Sequence, residues 1–276
     1  MLRGSKLICL FLSACVLGVL MAVAAQAATP AVPTVDQIIE KNVAARGGLK
    51  AWRGIQTMTM SGKLDAGGKS NVQLPFVMKL KRPRMLRLEI QFQGKTAIQV
   101  YDGENGWKVR PFLGRSEVES YSAAELQIAA DQQDIDGLLI DHEAKGIKVE
   151  LVGEEPVEGH DAYKLKLTMK SGHVRHVWVD AQSFLEIKME GSPRRLDGKM
   201  HSVETYYRDY RSTGGLTIPF VLETAVEKVK QTRKINIETI VLNPKLEDRA
   251  FAKPEIPGAS PMATLQGSVG QAKAGN

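Results

Sequence analysis

The sequence predicts a mainly β protein of the α+β class, with one large, curled antiparallel sheet and two helical segments set against its apolar face. Three observations carry this. Between residues 56 and 242 apolar side chains recur mostly with period two, as strands with one buried face require. Short turns join the runs, without the βαβ alternation that builds a parallel sheet. Helix-start signals followed by helical apolar stripes occur at two places, near residues 34 and 122.

The elements follow in order. Thr34-Val35-Asp36-Gln37 is a capping box, in which the Thr hydroxyl and the Gln side chain satisfy N–H groups at a helix start. Val35, Ile38, Ile39 and Val43 form the stripe, and Gly47-Gly48 stops the helix because glycine accepts the positive φ of a helix end. A short segment with Leu49 and Trp52 leads into the first strand. Met58, Met60 and Leu64 share one parity, as do Val72, Leu74, Phe76, Met78 and Leu80, and again Leu86, Leu88, Ile90 and Phe92. Asp65-Ala66-Gly67-Gly68 and Lys81-Arg82-Pro83 read as turns, and Asp102-Gly103-Glu104-Asn105-Gly106 closes a further hairpin before Trp107.

A second capping box, Ser122-Ala123-Ala124-Glu125, starts a helix predicted over 122–140, with Leu126, Ala129, Ala130, Ile135 and Leu139 available to bury. Strands then resume at Ile147, Val149 and Leu151; at Tyr163, Leu165, Leu167 and Met169; at Val177 and Val179; and at Leu185, Ile187 and Met189. Three more follow, around Tyr206, Tyr207 and Tyr210, around Phe220 and Leu222, and over 235–242. The total is roughly ten or eleven strands.

Two helical segments are too few to cover one face of so large a sheet. Either the sheet curls around its own side chains as a filled core, or the face leaves room for a ligand. The candidate wall is Met58, Met60, Leu74, Phe76, Met78, Leu80, Leu86, Leu88, Ile90 and Phe92. Apart from Ile90 this set lacks the β-branched residues that strands normally prefer, and Met and Leu repack around irregular ligands such as acyl chains. Expected to face the other way on the same strands are Lys79, Lys81, Arg84 and Arg87, with Arg82 in the turn. They are either contacts for an anionic lipid surface or the solvated face of an amphipathic hairpin.

No catalytic constellation emerges. Gly67-Gly68-Lys69-Ser70 lacks the earlier glycine of a phosphate loop and sits in a hairpin. His173 and His176 are three apart on a predicted strand, so they point to opposite faces, and no metal site is expected. His142, His160 and His201 are isolated, and G-x-S-x-G and H-E-x-x-H are absent. Asp131, Asp134 and Asp136 fall on the second predicted helix and Glu154 and Glu155 in a turn, where carboxylates are expected to be solvated. No enzymic activity and no cofactor are therefore expected.

The chain begins with Arg3 and Lys6, an apolar run over 7–25 and the triplet Ala25-Gln26-Ala27, which describes a cleaved export signal. The run is long enough to span a bilayer, but the A-x-A site and the following Pro30 and Pro33 favour release. Leu12-Ser13-Ala14-Cys15 resembles a lipobox, and a lipid anchor on Cys15 is the minority alternative. Cleavage after Ala27 leaves 249 residues and removes both cysteines, Cys9 and Cys15, which excludes disulfides and thiolate chemistry. The formal charge falls from +6 to +4, because Arg3 and Lys6 leave and no acid does. The predicted organisation is a signal over 1–27, one domain over 28–253, and a disordered tail over 254–276 rich in Pro, Gly, Ala, Ser and Gln.

The succession of motifs resembles the LolA-like outer-membrane lipoprotein carrier family, in its divergent lipoprotein-sorting branch. It runs from Ala45-Arg46-Gly47-Gly48-Leu49-Lys50-Ala51-Trp52 through Arg82-Pro83-Arg84-Met85-Leu86-Arg87-Leu88, Tyr101-Asp102-Gly103 with Trp107, and Tyr163-Lys164-Leu165-Lys166-Leu167. It continues in Val177-Trp178-Val179-Asp180, Gly215-Leu216-Thr217-Ile218-Pro219 and Asn243-Pro244-Lys245-Leu246 with Phe251 and Pro254. The resemblance implies a half-open antiparallel barrel whose mouth is plugged by helices, and an apolar cavity for acyl chains of lipoproteins or lipids. It implies a periplasmic carrier or chaperone, with the helix over 122–140 as a lid. Transient membrane-protein donors and acceptors, no nucleic-acid partner and a monomeric state go with that expectation. A sensor or adaptor that binds a protein partner through the same curved sheet is the alternative.

Overall fold

The computed structural model describes residues 32–65, 72–132, 134–230 and 232–255. The leader with both cysteines, residues 66–71, which include most of the first predicted turn and the Gly67-Gly68-Lys69-Ser70 stretch, and the tail beyond 255 lie outside them. The element order is α1 (Val35–Ala45), α2 (Leu49–Arg53), β1 (Thr57–Asp65), β2 (Gln73–Lys81), β3 (Met85–Phe92), β4 (Lys95–Tyr101), β5 (Gly106–Arg110), β6 (Arg115–Ser120) and α3 (Ala123–Gln132). It continues with β7 (Lys148–Glu154), β8 (Ala162–Thr168), β9 (Val174–Asp180), β10 (Glu186–Glu190), β11 (Arg194–Leu196), β12 (Lys199–His201), β13 (Val203–Thr213), β14 (Leu216–Val226) and β15 (Arg233–Leu242).

Among the described residues thirteen strands form one antiparallel sheet in the order β6-β5-β4-β3-β2-β1-β15-β14-β13-β10-β9-β8-β7. Its first and last members do not pair, so the sheet curls without closing. β11 and β12 form a separate two-stranded hairpin. The strands outnumber the roughly ten or eleven predicted: β6, whose sequence Arg-Ser-Glu-Val-Glu-Ser has no apolar face, joins the large sheet, the short pair β11 and β12 stands apart from it, and none of the three carries a periodic signal.

The pairing β1–β15 joins the two ends of the folded chain, and one core cluster spans it, with Leu216 and Ile218 of β14 packed among residues of β1–β3. At the β7–β10 end of the sheet, Leu165, Leu167, Val177 and Val179 pack with Ile38 of α1 and with Leu138 and Leu139. Among β1–β3, Met58, Leu80 and Leu86 pack with Trp52 of α2 and with Ile135 and Ile140. Each fully buried aliphatic side chain here contributes about 1.5–3 kcal/mol, so the seating of both helices is dominated by apolar burial.

The first capping box forms as the sequence predicts. Thr34 Oγ1 accepts from the Gln37 amide at 3.3 Å, and Gln37 Oε1 accepts from the Thr34 amide at 2.9 Å. The second forms too, with the Ser122 amide donating to Glu125 at 2.8 Å. The helix it starts is shorter than predicted. α3 ends at Gln132, and residues 134–146 are turns with Gly137 at φ +79° and Gly146 at φ +72°. That irregular segment, rather than a continued helix, carries the buried Ile135, Leu138, Leu139 and Ile140. The plug is therefore α1, α2 and the 134–146 segment, with α3 as its outer extension.

Gly47 fixes how α1 ends. Its φ is +107°, and a Cβ there would lie 2.3 Å from the Gly215 carbonyl oxygen, a backbone atom with no side-chain freedom to yield. The neighbouring Arg46 carbonyl accepts from the Thr217 amide at 3.1 Å, so the helix end is stitched to β14. Gly47→Ala is expected to cost about 1–3 kcal/mol from backbone strain, plus any backbone shift that relieves the clash. A denaturant midpoint unchanged from wild type would contradict that packing.

Candidate functional site

The concave face of the sheet lines a cavity of about 560 Å³, within the range of sites for small organic ligands. Seven of the ten predicted wall residues line it: Met58, Met60, Phe76, Met78, Leu80, Leu86 and Leu88. The register explains why. Met60 pairs with Met78 and Met78 with Leu88, while Met58 pairs with Leu80 and Leu80 with Leu86. Directly opposed residues of antiparallel strands share a face, so the period-two set becomes one continuous surface. Leu74, Ile90 and Phe92 lie on that face but beyond the cavity lining. Leu74 is opposite Leu64 and Ile90 opposite Phe76, and Phe92 meets Phe112 edge to face at 5.6 Å.

The far wall comes from strands late in the chain, with Val177 on β9, Met189 on β10, Leu222 on β14 and Ile235 and Ile237 on β15. Ile128 and Ala129 of α3, with Ile135 and Leu138 after it, cover the space from the other side. Sequence reasoning found the near wall because it lies on three consecutive, strongly periodic strands. The far wall needs the pairing of β1 with β15, which no local pattern shows.

The basic residues of β2 and β3 are placed differently from a free cationic face. Arg82 Nη2 reaches Asp136 Oδ2 at 2.7 Å, and Arg82 also donates to the carbonyls of Ile55 and Trp52. Arg84 pairs with Asp134 at 3.4 Å, Lys81 with Asp248 at 2.6 Å, and Arg87 with Glu89 at 2.5 Å. Of the five, Lys79 alone makes no ion pair among the described residues. Arg82 and Arg84 clamp the plug onto the sheet, and Lys81 and Arg87, the latter through the Ala250 carbonyl at 3.2 Å, clamp the C-terminal segment.

Asp136 is the centre of that clamp, and here the expectation of solvated carboxylates is corrected. Its side chain is 1% exposed, with Lys145 Nζ on one oxygen at 2.6 Å and Arg82 on the other. Asp134 and Asp131 are also largely covered, Asp131 holding His173 at 2.9 Å. The carboxylates lie inside because residues 134–146 fold down between Arg82 and Arg46 rather than continuing outward as a helix. His173 and His176 take separate partners, Asp131 and Glu190. Among the described residues no three His, Cys, Asp or Glu side chains converge as a metal site would require.

The polar lining falls into two groups. At the rim, Lys108 pairs with Glu125 and stands 5.9 Å from the Tyr121 ring. Burial, with Glu125's charge adding, pushes the Tyr121 phenol up to about 12. Deep inside lie Arg46, Arg175, Glu186 and Tyr207. Arg46 stacks on Trp52 at 4.6 Å, donates to the Asp136 carbonyl at 2.9 Å and stands 3.4 Å from Glu186. Gly137 permits that approach, since a Cβ there would lie 3.3 Å from the guanidinium. Sequence reasoning missed this group, although Arg175 carries a signal: it shares parity with Val177 and Val179, which places it on the buried face.

An unclosed antiparallel sheet curled over an apolar cavity, with N-terminal helices plugging it, defines the class: the chain has a LolA-like fold. Among solved structures it is similar to a LolA superfamily protein from Nitrosomonas europaea, with TM-score 0.55 and 16% identity over 80% of this chain and 99% of that one. A DUF1329 family protein from Desulfovibrio piger is similar at TM-score 0.53 and 16% identity, over 80% and 98% of the two chains. A domain from Vibrio parahaemolyticus, named for outer membrane lipoprotein sorting, is similar at TM-score 0.50 and 15% identity, over 79% and 95%. By sequence, no protein-family model matches the chain, and no curated protein does.

Proposed function

We propose that this protein is an exported carrier that shields the acyl chains of a lipid or lipoprotein in its cavity, without covalent chemistry. The observation that carries the reading is the apolar cavity of about 560 Å³ walled by Met58, Met60, Phe76, Met78 and Leu88. Met and Leu side chains, unbranched at Cβ, adapt to flexible chains. Burial contributes about 0.8 kcal/mol per methylene, so a chain of twelve brings roughly 10 kcal/mol, enough to offset an association cost of about 4–15 kcal/mol only when most of it is enclosed. Such an energy suits a cargo that is held and then given up. The leader supports export, and the LolA-like fold supports a place among periplasmic carriers, with outer-membrane lipoprotein sorting as its service.

Native mass spectrometry of the protein purified from the envelope fraction, followed by lipid extraction, tests this. The expected result is a bound mass that extraction releases as acyl-bearing material. A protein that is ligand-free and takes up no fatty acid probe, but crosslinks to a single membrane protein, would overturn the carrier in favour of an adaptor.

A further inference from the structure

The deep end of the cavity is polar in a way that acyl chains do not need. Arg46 and Arg175 each expose 5% of their surface, and both line the space. Among the described residues three carboxylates also line it, but Glu125 is tied to Lys108 and Asp134 to Arg84, which leaves Glu186 beside Arg46. Glu186 stands 3.4 Å from Arg46 Nη1, and the buried Arg46 Nε has no hydrogen-bond partner among the described residues. Arg175 donates to Ser192 Oγ at 3.4 Å, and Asp131 acts on it from outside the lining while itself holding Ser171 and His173.

Tyr207 completes the group. Its hydroxyl lies within the field of Arg46, Arg175 and Glu186, and burial first, then Glu186, drives its pKa far above the phenolic range. It donates to Met189 Sδ at 3.6 Å, and a thioether is a weak acceptor. Here two buried guanidiniums and a phenolic O–H converge on the cavity, with Glu186 beside Arg46 and Asp131 acting on Arg175. A buried anion is tolerated only when it is paired and fully hydrogen-bonded, and these donors meet that condition.

We infer that the Arg46, Arg175 and Tyr207 end of the cavity binds the anionic head of an amphiphile, a carboxylate or phosphate, while its chain lies along the Met60, Met78 and Leu88 wall. This rests on the carrier reading and narrows its ligand to acyl compounds with a negative head. Guanidinium forks take either anion, so fatty acids and phosphate-headed lipids share the chemistry.

Titration calorimetry with dodecanoate, dodecyl phosphate and dodecanol at pH 8 separates the possibilities. In the wild type both anions are expected to bind at least tenfold tighter than dodecanol, the effect of one charge-assisted hydrogen bond. The tighter of the two identifies the source, a free fatty acid or a phosphate head. Arg175→Gln is expected to remove that advantage and leave dodecanol unchanged. Tyr207→Phe, which keeps the ring and so the fold, is expected to weaken the anions alone by a few-fold. Equal wild-type binding of dodecanol and dodecanoate would overturn the inference while leaving the carrier standing. If none of the three binds, the carrier reading falls and this inference with it.

Discussion

Met78→Asp is expected to abolish acyl retention while the protein stays folded. Met78 is half-buried at the centre of the near wall, opposite Met60 on β1 and Leu88 on β3. Without a ligand the new carboxylate has only to face the cavity. With an acyl chain in place it would be sealed among methylenes with no cation beside it, and an unpaired buried charge costs several kcal/mol. Affinity for a fluorescent fatty acid should therefore drop more than about 100-fold, equivalent to roughly 2.7 kcal/mol. Val77→Asp is the control. Val77 is next in sequence but points to the other face of β2, opposite Ser61 and Glu89, so its substitution should leave binding within about twofold of wild type. Equal losses for both would mean that ligand binding does not depend on the concave face.

Asp136→Asn is expected to produce the largest loss of stability. Its carboxylate is 1% exposed and shared by Lys145, 8% exposed, and Arg82, 25% exposed. Removing the charge leaves Lys145 buried without its counter-ion, and breaking such a pair typically costs about 3–5 kcal/mol. For a protein of this size that lowers Tm by roughly 10 °C. The comparison is Asp141, whose partner Arg53 has a side chain 62% exposed. A pair that open to solvent contributes about 0–1 kcal/mol, so Asp141→Asn should shift Tm by no more than a few degrees. Adding Lys145→Met to Asp136→Asn should restore part of the loss, because it removes the stranded cation. A shift as small as that of Asp141→Asn would show that Asp136 does not hold the plug.

The contrast between these two sites marks what the sequence makes legible. The near wall was readable because Met58, Met60, Met78 and Leu88 lie on consecutive hairpins, where period two translates directly into a shared face. Both capping boxes were readable for the same local reason. The plug was not. Asp136 and Arg82 are 54 residues apart, and nothing local distinguishes a carboxylate that folds inward from one on a solvated helix. The turn structure over 134–146 also misleads periodicity, since its buried Ile135, Leu138 and Leu139 keep the i, i+3, i+4 spacing of a helix although the segment is turns. The deep polar group falls between these cases. Arg175 lies at an apolar parity and was discoverable, whereas Arg46 reaches the cavity only because the end of α1 is stitched to β14 through Thr217.

The central claim is that an acyl chain lies inside the curled sheet, and Trp52 can report on it. Trp52 lines the cavity, whereas Trp107 on β5 and Trp178 on β9 do not. A fatty acid brominated in mid-chain quenches tryptophan fluorescence at contact, so titrating it into Trp107→Phe/Trp178→Phe isolates the Trp52 signal. Strong, saturable quenching there, with little in the Trp52→Phe protein, is the predicted result. Quenching of Trp107 or Trp178 with Trp52 unaffected would place the chain outside the sheet and contradict the account.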